Sequence, residues 1–103
     1  MTDKKQAKVC ADLLQALAEP NRIRIIDCLR TGPKNVTELA KLLSVEIVNV
    51  SHHLGVLRLG GLVQAEKHGR FVVYTLHDKY FVNDNPKATH CDLGWCKIEI
   101  PTT

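Results

Sequence analysis

At 103 residues the chain has one domain's worth of sequence, and its 45% hydrophobic, 24% charged composition is that of a globular chain rather than a disordered one. No apolar run approaches the roughly 20 residues of a membrane span, and the opening MTDKKQAK lacks a signal-peptide core, so a cytoplasmic protein without membrane contact is expected. A net charge of +3 permits a nucleic-acid partner without requiring one, and four cysteines in a reducing compartment argue against a disulfide framework.

Residues 4–18 carry Val9, Leu13, Ala16 and Leu17 at helical spacing, with Cys10 beside them, and predict a first helix. Pro20 then fits the first turn of a second helix, where its missing N–H costs nothing. Ile23, Ile25, Ile26, Cys28 and Leu29 make that helix apolar over more than one face, as expected of the buried centre of the fold, and Thr31-Gly32-Pro33 stops it. A short third helix at 36–43 turns Leu39, Leu42 and Leu43 inward, with Thr37 as its expected N-cap.

A tight turn at 43–45 leads into a fourth helix at 46–60, and this stretch organises the rest. Val50, Leu54 and Leu57 form its inward stripe, continued past the helix by Leu62. The opposite face reads as Asn49, Ser51, His52 and His53, which is short, polar and nearly uncharged. A solvated surface helix normally carries Lys and Glu, whereas compact donors and acceptors suit base edges in a major groove. Ser51 and His52 can instead contact phosphates, which positions a protein without reading sequence. A metal pair from His52 and His53 is disfavoured, because adjacent helix residues point about 100° apart. Lys41 and Arg58 are expected to meet phosphates, while Arg22 and Arg24 fit either backbone contacts or ion pairs within a dimer.

Gly60-Gly61 ends the helix. LVQAEK and FVVYTL then alternate around His68-Gly69-Arg70, which predicts a β-hairpin. Arg70 at its tip, flanked by Lys67 and His68, is placed to enter a minor groove, and Tyr74 reads as a packing residue. The fold class expected is mainly α with a β-hairpin wing: a winged helix-turn-helix. Beyond it, residues 77–82 predict a short helix ended by the turn cluster at 83–86, and HCDLGWCKIEIP predicts a turn leading into a short extended segment. The expected organisation is a DNA-binding and dimerisation domain at 1–82 and a cysteine-containing tail at 83–103. One such domain reads few base pairs, so a homodimer is expected, with its two recognition helices about 34 Å apart on a palindromic double-stranded operator. The first helix and the tail are left to form the dimer surface.

Three segments resemble the ArsR/SmtB family of winged-helix transcriptional repressors. LAEPNRIRIIDCL resembles the opening of its second helix, VSHHLGVLRLGGLV its recognition helix, and KHGRFVVYTL its wing. The resemblance covers roughly residues 9–78 and implies a homodimeric repressor that releases its operator when a metal, metalloid or oxidant reaches a sensing site. It also shows departures. Asn35-Val36-Thr37 stands where many members carry a Cys-x-Cys metal pair. Asp78 matches the first ligand of an Asp-x-His zinc pair on a fifth helix, but Tyr80 replaces the His and Pro86 interrupts that helix. Glu46, followed by Ile47 and Val48, replaces the usual Ser at the start of the recognition helix, which implies a different operator sequence.

Cys91 and Cys96 have four residues between them, which does not match a zinc knuckle. The spacing permits two thiolates to face one thiophilic ion such as As(III), Cd(II) or Zn(II), or to form a disulfide after local rearrangement. Cys10 is a candidate third sulfur and His90 a neighbouring imidazole, while Cys28 reads as a small core residue. The readings left open are a repressor released by a metal or metalloid ion at Cys91, Cys96 and Cys10, a thiol-redox-responsive repressor using the same cysteines, and a winged-helix protein-interaction module without an effector. No nucleophile elbow, P-loop or HExxH is present, so an enzyme is not expected.

Overall fold

The computed structural model describes residues 3–82, 88–92 and 97–101. Its first half is four helices, the first three of them opened by side-chain caps. Asp3 accepts from the Gln6 N–H at 2.8 Å and opens α1 (Lys4–Leu17). Glu19 accepts from the Arg22 N–H at 3.0 Å and opens α2 (Pro20–Leu29), with Pro20 in the first turn as expected. The two-residue strand β1 (Lys34–Asn35) runs directly into α3 (Val36–Leu43). Asn35, not Thr37, caps that helix: its side chain accepts from the Glu38 N–H at 2.8 Å, while the Glu38 carboxylate accepts from the Asn35 N–H at 3.0 Å. This reciprocal box satisfies two otherwise orphaned donors, which a threonine inside the first turn does not.

Between α3 and α4 (Ile47–Leu59) the chain turns through Ser44, a non-glycine residue in the left-handed region at φ 55°. The Val45 N–H donates to the Ala40 carbonyl and the Ser44 N–H to the Lys41 carbonyl, closing the end of α3. Two glycines end α4 for different reasons. Gly61, at φ 79°, takes the left-handed position of a Schellman closure in which the Leu62 N–H donates to the Leu57 carbonyl and the Gly61 N–H to the Arg58 carbonyl, both at 3.0 Å. Gly60 instead lets α4 approach α1, since a Cβ there would stand 3.2 Å from the Cβ of Ala16.

The hairpin follows as β2 (Val63–His68) and β3 (Phe71–Leu76), antiparallel, with Val63 opposite Leu76 and His68 opposite Phe71. Gly69, at φ 64°, supplies the turn, and β1 pairs with the other edge of β3. The core lies under this sheet and between the helices: Ile25 and Ile26 of α2, Leu39 of α3, Val50, Leu54 and Leu57 of α4, and Leu62 are all fully buried. On α1 the buried set is Cys10, Leu13, Ala16 and Leu17, so Val9 falls outside the stripe expected to include it; Leu42 on α3 is likewise exposed, its inward place taken by Ala40.

The last part differs from expectation. Residues 77–82 do not form a helix: a turn leads into β4 (Phe81–Val82), which pairs with β5 (Ala88–Asp92), and β5 pairs with β6 (Lys97–Pro101) in a second antiparallel sheet. The extended KIEI segment is present, but as one arm of a hairpin, and the turn expected around residue 94 lies outside the described residues. Cys91 and Ile98 carry this sheet onto the main core.

Candidate nucleic-acid interface

With the buried stripe of α4 fixed by Val50, Leu54 and Leu57, the opposite side of the helix follows from about 100° of turn per residue. Asn49, Ser51 and His52 are exposed there as expected. So are Val48 and Gly55, which a reading by polarity leaves out although the same wheel marks them, and Ile47, which begins the helix on the side nearer the buried stripe. Val48 is 76% and Ile47 52% exposed, and a Cβ at Gly55 would meet nothing within 4 Å. Arg58 is exposed two turns further along, and Lys41 is exposed on α3. Glu46 precedes the helix in extended conformation and makes no side-chain cap bond.

His53 is not part of this face, which corrects its expected place. Its side chain is 14% exposed and turned toward the start of α2, with Nε2 3.6 Å from the Glu19 carboxylate. Its Nδ1 lies 3.4 Å from Arg22 Nη1, an approach that leaves Nδ1 to accept and puts the ring proton on Nε2, facing Glu19. The helix drift explains the error: position 53 sits beside the buried stripe, not opposite it. Arg22, half-buried, and Arg24, exposed, are both engaged by backbone carbonyls of their own chain. Arg22 Nε donates to the Ala16 carbonyl at 2.6 Å, at the end of α1, and Arg24 donates to the Leu43 carbonyl at 3.1 Å, at the end of α3. Each cation therefore closes the carbonyl end of a neighbouring helix, where the helix dipole favours positive charge.

At the other edge, Lys67, His68 and Arg70 are exposed around the hairpin tip. Arg70 stands over the Phe71 ring, 5.6 Å from its centroid, and His68 Nε2 is 3.6 Å from Glu66. The wing thus brings together the three residues expected there, Lys67 and His68 at the end of β2 and Arg70 on the two-residue turn. Tyr74 packs against the core, as its sequence context indicated.

The cysteines are placed differently from the tail expectation. Cys91 is not outside the body: it is 0% exposed, in the same core as Cys10, which is 1% exposed. Cys96 lies outside the described residues. Among the described residues, no three His, Cys, Asp or Glu side chains gather as ligands for a metal ion. Cys28 borders the core, and its thiol pKa is raised by burial and, secondarily, by the Asp27 carboxylate, with Lys34 and Arg24 opposing. At neutral pH it stays a protonated thiol, consistent with a packing role.

Three helices, a turn and an exposed fourth helix followed by a basic hairpin define a winged helix-turn-helix protein. A helix-turn-helix domain family model matches residues 17–64. The chain is 40% identical over 80 residues to the HTH-type transcriptional regulator CmtR of Mycobacterium bovis, covering 78% of this chain and 68% of that one. It is 46% identical over 78 residues to the HTH-type transcriptional regulator NmtR of Mycobacterium tuberculosis, covering 76% of this chain but 65% of the relative, so it spans less than two thirds of that protein's length. Among solved structures, the homodimeric winged helix-turn-helix DNA-binding domain of Mb0332 from Mycobacterium bovis, a possible ArsR-family regulator, superimposes with a TM-score of 0.69 at 30% identity, covering 77% of this chain and 75% of that one. The chain belongs to the ArsR/SmtB family of winged-helix transcriptional regulators, a family of DNA-binding proteins and not of enzymes.

Proposed function

We propose that the chain acts as a homodimeric cytoplasmic repressor that binds a palindromic double-stranded operator. The exposed face of α4, with Asn49, Ser51 and His52, enters the major groove, while Arg58, Lys67, His68 and Arg70 meet the backbone or the adjoining minor groove. The single observation that carries this reading is the exposed face of α4, which bears no carboxylate between Ile47 and Leu59 and is followed by a cationic wing tip. A surface helix with no task outside the protein would carry interspersed charges of both signs. The homodimeric state of the Mb0332 domain supports the two-fold arrangement.

The effector proposed is a thiophilic metal or metalloid ion acting through Cys91, Cys96 and Cys10; one solved relative, 38% identical, is a possible transcriptional regulator for arsenical resistance. The described residues supply two buried sulfurs and no third ligand, which is not a complete centre, so the assignment depends on Cys96. Measuring duplex binding by fluorescence anisotropy over a range of salt tests the first part: log K falls with log salt by about 0.9 per phosphate contact. A flat dependence would leave only a protein-interaction module. Titrating the complex with As(III), Cd(II), Zn(II) and peroxide tests the second. Release by an ion in the wild type and not in Cys91→Ala/Cys96→Ser supports sensing at these thiols, release by peroxide alone favours the redox reading, and unchanged release in the double variant removes them from the mechanism.

A further inference from the structure

Resting on the DNA-binding reading, we infer that Val48, seconded by Ile47, selects operator sequence by packing against thymine methyl groups in the major groove. On the helix wheel the direction opposite Val50, Leu54 and Leu57 falls among Val48, His52 and Leu59, with Gly55 beside them. On the first turn of the helix the outward residue is therefore a branched hydrocarbon, not one of the polar groups. Val48 is 76% exposed on the first turn of the helix, and it is this turn of a recognition helix that reaches base edges. Gly55, about two turns further on, has no side chain and open space around it, so nothing at that position holds the duplex away from the shorter residues.

The chemistry then restricts the partner. In the major groove every base pair offers hydrogen-bond donors and acceptors in its own pattern, but the thymine C5-methyl is the one apolar group displayed there. An isopropyl group cannot satisfy a cytosine N4 donor or an adenine N7 acceptor, and pressing it against either desolvates that group without replacing its hydrogen bond. Val48 is consequently matched by thymine and mismatched by the polar edges. Ser51 and His52, on the following turn, supply hydrogen bonds to neighbouring positions. Arg58 on the same helix and Arg70 on the wing give the face the positive flank that a polyanion requires.

The test is selection of an operator from a randomised duplex pool, followed by replacement of each thymine in turn with deoxyuridine. That base keeps every hydrogen-bonding group and lacks only the methyl. Wild-type protein is expected to lose about fourfold in affinity at one or two positions in each half-site, the fold-change equivalent to uncovering one methyl-sized apolar group. Val48→Ser, a solvent-exposed change, is expected to fold, to keep the salt dependence of binding and to lose discrimination at those positions. If the wild type binds its selected duplex with normal salt dependence yet ignores deoxyuridine at every position, the inference is overturned and the DNA-binding reading stands. If no duplex is selected and binding is independent of salt, both fail, and an apolar protein contact at Ile47 and Val48 takes their place.

Discussion

Arg22 shows how much a single side chain's direction matters. Its charge is visible in the sequence; its target six residues back, the carbonyl end of α1, is not, because that contact exists only once α1 and α2 have folded against each other. Its Nη2 also reaches the Gln15 carbonyl at 3.5 Å, and with the contact to His53 it joins α1, α2 and α4 at one point. Arg22→Ala is expected to destabilise the fold by about 1.5–3 kcal/mol, the range for losing a hydrogen bond made by a charged group. Thermal unfolding would show this as a fall of roughly 4–8 °C per kcal/mol, while the salt dependence of duplex binding stays at its wild-type value. A reduced salt dependence with unchanged stability would instead return Arg22 to the phosphate contacts. The same limit applies to His53 and Val48: residue type favours the imidazole for the outer face and passes over the valine, and only the angle around the helix, fixed by the buried stripe, turns the first inward and the second outward.

Among the elements, those with a local signal were legible. The four helices announce themselves through apolar spacing, Pro20 and the paired glycines, and the hairpin through two-residue alternation about Gly69. The second sheet was not, because its strands owe their existence to pairing across the chain: β4 is two residues long and is held by β5, beginning seven residues later. Nothing in Phe81-Val82 alone distinguishes a strand from the end of a helix. The wing carries its own prediction. Arg70 is exposed on the turn and stands over the half-exposed Phe71 ring, so Arg70→Ala should leave stability within about 0.5 kcal/mol of wild type. Binding should weaken by a similar factor on every duplex, with the salt exponent reduced by about one. Loss confined to A·T-rich flanks would instead place Arg70 in a narrow minor groove, and no change in either quantity would put the wing outside the interface.

At the scale of the whole molecule, a monomer of this size offers one recognition helix, so operator selectivity depends on pairing, and pairing requires a surface committed neither to the core nor to DNA. In the proposed homodimer the first helix would supply one. Val9 is 53% exposed and Leu14 also stands in solvent, the two flanking the buried stripe of Cys10, Leu13 and Leu17 on either side. An apolar border on both sides of a buried seam is what an isologous helix contact would cover. Val9→Glu places a carboxylate where the monomer can fully hydrate it, so the unfolding free energy of the isolated chain should change by no more than about 0.5 kcal/mol. In the dimer, two-fold symmetry brings two such carboxylates toward the same interface, and the repulsion acts on association alone. Size-exclusion chromatography with light scattering should then show the variant as a monomer at concentrations where the wild type is a dimer. Operator affinity should fall at low protein concentration and recover as concentration rises, because pairing and DNA binding are linked by mass action. A variant that remains dimeric and binds its operator as the wild type does would move the dimer surface away from α1 and leave it to the C-terminal sheet.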